Sequence, residues 1–359
     1  MIGSIGQRED RRGIMKKYLL PKDGTFFKAN LHSHSTFSDG ALTPAEMKAA
    51  YQAQGYSIIA FTDHDLMFHH RELNDDGFLA LSGFEIYANQ EKREGDTYDD
   101  IKVCHICFVA LRPDVEYQVC FHRTKYIEHN IPIWDQAAYD PSVPDFEREY
   151  TPECINEMMR LGREKGFFVT YNHPDWSLEG ANEYLQYDNM HALEIVNGCC
   201  FAGGYDIHSP WVYDEMLRSG KRIFCIAADD NHNRNQEDPM RDSFGGFTMI
   251  KAEKLDHTLI GEALLKGDFY CSQGPLIDEL WIEDGKVHIT SPSACRITLQ
   301  TGRRHAAVKE QREDGPMHAE FELWGRKDLY FRLTVTDSRG RHAYTNAYFI
   351  DELLKTDTE

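Results

Sequence analysis

The stretch Asn30-Leu31-His32-Ser33-His34-Ser35-Thr36-Phe37-Ser38-Asp39-Gly40 puts two imidazoles and a carboxylate within a few residues, and the rest of the chain reads outward from it. Phe26-Phe27-Lys28-Ala29-Asn30-Leu31 before it has the texture of a strand, so His32 and His34, two positions apart, leave its end on one face. Two neutral imidazoles aimed at one point suit a divalent transition metal. Ser38-Asp39-Gly40 is a turn signal that would swing the Asp39 carboxylate back toward the same point. One His-x-His carries little weight by itself. Its weight comes from repetition further along the chain.

Thr43-Pro44-Ala45-Glu46 combines an N-cap, a proline at the first helical position and a capping-box glutamate, and Gly55 closes the helix. Ser57-Ile58-Ile59-Ala60-Phe61 follows as a buried strand and ends in Thr62-Asp63-His64-Asp65. The rhythm then recurs. Residues 78–84 are apolar and end at Glu85, and residues 101–111 are apolar and carry His105. Thr151-Pro152 opens a helix that Gly166 closes, and residues 167–171 end at Asn172-His173-Pro174. Residues 192–196 end at Asn197-Gly198, Ser209-Pro210 opens a helix that Gly220 closes, and residues 222–227 end at Asp229-Asp230-Asn231-His232. A strand over 246–252 and a short helix over 257–266 complete the series. Strands alternating with capped helices predict parallel βα units.

The polar residues fall in one kind of place. His32, His34, His64, Glu85, His173, Asp230 and His232 all lie at or just beyond the C-terminal end of a predicted strand, where βα barrels gather their active-site groups. His105 alone falls within a strand. Histidines satisfied by hydrogen bonds in a core would show no such bias toward strand ends.

Composition sets the outer limits. The chain has 359 residues, 41% of them hydrophobic, which is room for one large domain and a small one. Formal charge is 39 − 59 = −20 and the pI is near 5.3, a balance that disfavours a sequence-independent grip on nucleic acid. No apolar run reaches membrane-spanning length and the first residues are polar, so a cytoplasmic location without membrane attachment is expected. The nine cysteines are odd in number, and Cys104, Cys107 and Cys225 sit in predicted strands, which reads as buried reduced thiols. Cys104-His105-Ile106-Cys107 has no second pair at zinc-ribbon spacing.

From about residue 276 the texture becomes antiparallel. Trp281-Ile282-Glu283-Asp284-Gly285-Lys286-Val287-His288-Ile289 is a hairpin on an Asp-Gly turn, and Tyr330-Phe331-Arg332-Leu333-Thr334-Val335-Thr336-Asp337 alternates. The expected organisation is a tail over 1–24, a main domain over 25–275 and a small β-sandwich-like domain over 276–359. His288, His305, His318 and His342 read as surface or packing residues. The sequence carries no signal for an oligomeric state.

Taken together, these residues resemble the PHP superfamily, the polymerase and histidinol phosphatase metal-dependent hydrolases. His32-Ser33-His34 with Ser38-Asp39-Gly40 is similar to the family's first motif, Thr62-Asp63-His64 to its second, and Gly83-Phe84-Glu85 to its bridging-glutamate motif. His105 and His173-Pro174 are similar to two further histidines, and Asp230-Asn231-His232 to the closing Asp-x-His. Glu194-Ile195-Val196-Asn197-Gly198, Ala263-Leu264-Leu265-Lys266-Gly267-Asp268-Phe269-Tyr270 with Ser272-Gln273-Gly274-Pro275, and Ala343-Tyr344-Thr345-Asn346 resemble the carbaryl-hydrolase-like branch.

The resemblance implies a distorted (β/α)7 barrel holding two or three divalent cations, commonly Zn, Mn or Fe. One would be held by His32, His34, Glu85 and Asp230, a second by Glu85, His105 and His173, and a third by Asp39, His64 and His232. It implies hydrolysis of a small phosphorylated substrate by a metal-bridging hydroxide. Asp230 rather than Asp229 suits the closing motif, because positions i and i+2 share a face with His232. Asp63 and Asp65 would orient the His64 ring, or Asp63 would serve in proton transfer. Arg234, Arg241 or Arg71 would meet the substrate, although each also reads as a solvated surface charge. The charged insert after Glu85, residues 89–100, is a lid or, more simply, a solvated loop. Two rival readings keep the metals: carbamate, ester or amide hydrolysis on the same cluster, and a non-catalytic interaction module with the β domain as its docking surface.

Overall fold

Local chemistry fixes the helix ends. Thr43 Oγ1 accepts the Glu46 amide at 3.3 Å while Glu46 Oε2 accepts the Thr43 amide at 2.8 Å, the reciprocal box that the sequence predicts. Thr151 Oγ1 accepts the Cys154 amide at 3.2 Å. Gly267, at φ 76°, ends its helix in the left-handed region that glycine enters without steric cost.

The computed structural model describes residues 16–127, 133–205 and 209–353. Residues 1–15 of the expected tail and 354–359 of the expected C-terminal domain lie outside the described residues. The strands and helices run in the order β1 (Lys17–Tyr18), β2 (Thr25–Asn30), α1 (Pro44–Ala53), β3 (Ile58–Phe61), β4 (Leu79–Asn89), β5 (Val103–Ala110), α2 (Pro152–Glu164) and β6 (Phe167–Tyr171). After these come α3 (Ala181–Tyr184), β7 (Ala192–Asn197), α4 (Gly198–Ala202), α5 (Pro210–Arg218), β8 (Phe224–Ala228), β9 (Phe247–Ala252), α6 (His257–Lys266) and β10 (Phe269–Ser272). The remainder are β11 (Glu279–Glu283), β12 (Lys286–Thr301), β13 (Ala306–Glu322), β14 (Tyr330–Thr336), β15 (His342–Thr345), β16 (Tyr348–Phe349) and α7 (Ile350–Leu353). They form two compact units, one over 23–274 with 343–346, the other over the described parts of 1–22, 275–342 and 347–359.

The larger unit is a mixed α/β sheet in the order β15-β10-β9-β2-β3-β4-β5-β6-β7-β8. β2, β3 and β4 are parallel, as are β6, β7 and β8. β5 is antiparallel to both its neighbours, and β9 runs against β2 and β10. Three features depart from the sequence expectation. The sheet is open, not a closed (β/α)7 barrel: among the described residues no ladder joins β8 to the far edge. Side chains meet the β8 backbone instead, with the Cys225 amide on Asn346 Oδ1 at 3.0 Å and the Ala227 amide on Thr248 Oγ1 at 3.3 Å.

The second departure is the direction of β5. The connection from β4 holds no crossover helix, so the two strands pair antiparallel and the start of β5 lies where the other strands end. His105 therefore lies near the rim although it is inside a strand. The third is the length of β4, which pairs with β3 as far as Ser82 and then continues to Asn89 against β5, with Glu85 inside it and bridged on its other side to His64. A buried cluster including Leu31, Ile58, Leu81, Val109, Phe168, Ile226 and Ile250 joins the strands to Ile260 and Leu264 of α6. Each such side chain contributes about 1.5–3 kcal/mol.

The smaller unit is antiparallel throughout. The β11–β12 hairpin turns on Asp284 and Gly285, both at positive φ, as a type I′ turn requires. β12 shifts register near Ala294, pairing β11 before that point and β14 after it, with β13 along both parts. No helix among the described residues is long and apolar enough to cross a membrane.

Candidate metal centre

The loop after β2 is tied from below by Asp63. Its Oδ1 accepts the Ser35 amide at 2.8 Å and the Ser38 hydroxyl at 2.6 Å, and its Oδ2 accepts the Ser35 hydroxyl at 2.9 Å. The Ser35 carbonyl accepts the Ser38 and Gly40 amides, which curls the chain back on itself. A Cβ at position 40 would lie 2.3 Å from the His34 carbonyl oxygen, so only glycine fits the return. The curl carries Asp39 Oδ1 to 3.4 Å from His232 Nε2, 3.6 Å from His64 Nε2 and 3.9 Å from His34 Nδ1.

The nine side chains expected as metal ligands converge in three overlapping groups: His32, His34, Glu85 and Asp230; Glu85, His105 and His173; and His34, Asp39, His64 and His232. In the first, His34 Nε2 lies 3.2 Å from His32 Nε2 and 2.9 Å from Asp230 Oδ1, and His32 Nε2 lies 3.2 Å from both Asp230 Oδ1 and Glu85 Oε1. Four donors placed tetrahedrally at zinc-like bond lengths stand about 3.3 Å apart, so the spacing is that of a coordination shell. In the second, Glu85 Oε1 is 2.9 Å from His105 Nδ1 and 3.5 Å from His173 Nε2. Glu85 Oε2 faces His64 Nδ1 at 3.1 Å. His173 and Asp230 hold positive φ, 28° and 54°, a local cost of about 1–3 kcal/mol of the kind that collects at functional sites.

A further set of side chains aims these donors. His32 Nδ1 lies 3.0 Å from Glu194 Oε1, which leaves Nε2 pointing into the group. Asn197 Nδ2 donates to Glu194 Oε2 at 2.9 Å and to Asp230 Oδ2 at 3.1 Å. His173 Nδ1 meets Ser177 Oγ at 3.2 Å, and His232 Nδ1 meets the Asp230 carbonyl at 2.9 Å. Glu194 was not among the residues singled out as ligands or supports. Its signal was available: a carboxylate in the middle of the apolar run Ala192–Asn197 must find a partner when that strand is buried. Asp229 turns the opposite way from Asp230 and accepts the amides of Phe244, Gly245 and Gly246 and the Tyr51 hydroxyl.

The electrostatics favour added positive charge. Burial opposes protonation of His34, yet Asp230 and Glu85 outweigh it and lift the pKa to about 10. His32 moves the same way, against burial, under Asp230, Cys107, Glu85 and Glu194. Burial likewise works against the charge on Glu85 and Asp230, but His32 and its neighbours hold both well below the usual carboxylate range. Asp39 is brought down to about 2, against burial, by His64, His34 and His232. Burial and the nearby His34 push His232 down to about 4. His34 Nδ1, Asp39 Oδ1 and His105 Nε2 are buried without a hydrogen-bond partner among the described residues. Imidazoles and carboxylates with unspent lone pairs facing one another fit borderline divalent cations such as Zn, Mn or Fe.

The other candidates are engaged elsewhere. Asp63 is spent on the 33–40 loop, and Asp65 pairs with the buried Arg148 at 2.5 Å. Arg234 Nη2 lies 2.7 Å from Asp39 Oδ2, which places it beside the third group. Arg241 donates to the Ala202 carbonyl at 2.8 Å, and Arg71 to the Pro113 carbonyl at 2.8 Å. Cys107 Sγ accepts Asn172 Nδ2 at 2.9 Å and Cys104 is buried, so the Cys-x-x-Cys forms no thiolate pair aimed at one ion.

Residues 30–130 match the family model described as a PHP domain, a stretch that holds His32, His34, Asp39, His64, Glu85 and His105. A 5'-3' exoribonuclease of Haemophilus influenzae is 39% identical over 70 residues, 18% of this chain and 26% of that protein, so the match spans about a quarter of that curated relative. A two-domain Bacteroides vulgatus protein containing a predicted PHP-like metal-dependent phosphoesterase superposes with a TM-score of 0.44 at 15% identity, covering 96% of this chain and all of that one. A Bifidobacterium adolescentis protein named as a metal-dependent phosphoesterase gives 0.36 at 14% identity, over 61% of this chain and 91% of that one. Scores this low carry no argument about chemistry. The carbaryl-hydrolase-like branch is not confirmed by these comparisons.

Proposed function

We propose that this PHP-domain chain is a metal-dependent phosphoesterase that hydrolyses a small phosphorylated substrate. The observation behind the reading is shared donors: Glu85 belongs to two of the three groups and His34 to two, so cations held there would be neighbours rather than isolated ions. Divalent cations in these groups would supply Lewis acidity toward phosphoryl oxygens and lower the pKa of water. The chain's own part is to fix and shield. Glu194 holds the His32 ring, Asn197 ties Glu194 to Asp230, and Asp63 pins the loop that returns Asp39. Arg234, paired with Asp39 and 55% exposed, sets a positive charge beside that group where an anionic phosphoryl oxygen could be met. In the net reaction a water oxygen bonds to phosphorus, the bond from phosphorus to the substrate alcohol breaks, and the alcohol leaves with a proton.

The test pairs elemental analysis of freshly purified protein with phosphate release from a phosphoester panel, using p-nitrophenyl acetate as the carbon-ester control. Two or three divalent ions per chain are expected, with phosphate release lost by at least about a hundredfold in His34→Ala, because that ring serves two groups. A metal-loaded protein that cleaves the acetate and no phosphoester sinks the reading in favour of acyl hydrolysis. Bound metal with no hydrolysis of either leaves an interaction module.

A further inference from the structure

Residues 91–100 of the insert after β4 are mostly exposed, and where the chain enters β5 Lys102 Nζ lies 2.6 Å from Glu183 Oε1 and the Val103 amide donates to the Ser177 carbonyl at 3.2 Å. Two aromatic rings meet beside the second group of donors. Trp176 packs edge-on against His105 at 5.4 Å and His173 at 5.2 Å, both donors of the second group. Tyr98, from the insert, stands 6.4 Å from Trp176. The two planes meet at 51°, an open V rather than a mutual stack. Tyr98 is 40% exposed and Trp176 is half-buried. Tyr87, the third ring near His105, is taken up on its far side by Tyr126 and Arg148. Burial, with the charges of Glu85, Asp65 and Asp99, pushes the Tyr98 phenol up to about 12.

We propose that Tyr98 and Trp176 form a stacking wall for the alcohol portion of the phosphoester, so that the preferred substrates carry a planar aromatic leaving group rather than an alkyl one. The proposal deepens the phosphoesterase reading and rests on it. A ring bound by its phosphoryl group next to His105 and His173 would project toward Trp176, and an aromatic face gains stacking energy there that an alkyl chain does not. The wall adds nothing to the bond-breaking step. Its signature is in binding, with KM rather than kcat responding.

Two measurements on the full metal-loaded chain test it. Calorimetric titration with phenylphosphonate and methylphosphonate, which are not hydrolysed, reads the wall directly, and phosphate release from phenyl phosphate and glycerol phosphate reads it in turnover. The wild type should prefer phenylphosphonate by about tenfold, and both Tyr98→Ala and Trp176→Ala should erase most of that preference, read as the ratio of the two affinities within each variant. Tyr98→Phe and Trp176→Phe, which keep a ring, should retain it. Equal affinity for the two phosphonates, or a preference that survives both alanine variants, overturns the wall whatever the turnover shows. A wild type that releases no phosphate from either ester and still prefers phenylphosphonate refutes the phosphoesterase reading and leaves the wall standing.

Discussion

Replacing Glu194 with glutamine keeps the size of the side chain and removes its charge, which isolates the role of one buried carboxylate. Oε1 of Glu194 lies 3.0 Å from His32 Nδ1, and Oε2 accepts the Asn197 amide at 2.9 Å. A carboxylate can accept from both neighbours, whereas an amide has one oxygen. Glutamine must therefore either turn its NH2 toward His32, whose Nδ1 proton then has no acceptor, or turn it toward Asn197 and set two donors face to face. The first choice frees the His32 ring to rotate. The second loosens Asn197, which also holds Asp230 Oδ2 at 3.1 Å. Either way a donor of the first group loses its aim. Removing such a support typically weakens metal binding 10- to 100-fold, or about 1.4–2.7 kcal/mol. That range agrees with about 1.5–3 kcal/mol for one hydrogen bond to a charged group. Competition against a chromogenic chelator at fixed pH measures the change, and Glu194→Gln should lose the tightest-bound ion first. An affinity within about twofold of wild type would show that His32 is aimed by packing alone, and the account of the centre given above would be wrong.

Two further outcomes follow from neighbouring carboxylates. Asp229→Ala removes the acceptor of the Phe244, Gly245 and Gly246 amides, of which Gly246 is buried, while the Tyr51 hydroxyl keeps Asn231 Oδ1 at 2.8 Å, and should cost about 2–3 kcal/mol in urea unfolding. Asp230→Ala should cost less and yet abolish metal retention, and the reverse pattern would show that the two roles have been exchanged. Glu179 is set among the hydroxyls of Tyr171, Tyr187 and Tyr150, and burial lifts its pKa from 4.5 to about 7 despite them. A folded pKa above the unfolded one gives stability that is full below pH 4.5 and is lost as pH rises through about 7. Wild type should therefore lose up to about 3 kcal/mol relative to Glu179→Gln between pH 5 and 8, and urea midpoints that keep a constant offset across that range would refute it.

What could be read from the chain beforehand was local. The Thr43 box, the Thr151 cap and the closing Gly267 act over a few residues, so their sequence signatures and their structures agree. Asp230 faces the other donors while Asp229 is taken up by the 244–246 amides, and the positive φ of Asp230 that separates them is not written in the local sequence. The direction of β5 could not be read. All eight of its residues are buried, and an apolar run buried on both faces looks the same whichever way it is threaded. That the sheet stays open was equally hidden, since the β8 backbone is met by the Asn346 and Thr248 side chains from remote parts of the sequence. The insert after β4 reads as solvated by composition and is largely exposed, while the pairing of Lys102 with Glu183 at its end is a contact between residues 81 apart that no local signal marks.

The length of β4 is the departure with the most consequence for chemistry. Had the strand ended at residue 84, as its apolar run suggests, Glu85 would sit on a mobile loop and could serve one cation at best. Glu85 lies instead past the last β3 pairing at Ser82, with its amide on the Asp63 carbonyl at 3.2 Å, its carbonyl accepting the Asp65 amide at 2.7 Å and Cys107 of β5 opposite, so its backbone is held on both sides. From that fixed point Oε1 reaches His32 and His105 and Oε2 reaches His34 and His64. A shared ligand places two cations side by side only when its own position is rigid. The 63–65 backbone on one side and the antiparallel β5, which the sequence concealed, on the other together fix Glu85 firmly enough to be shared.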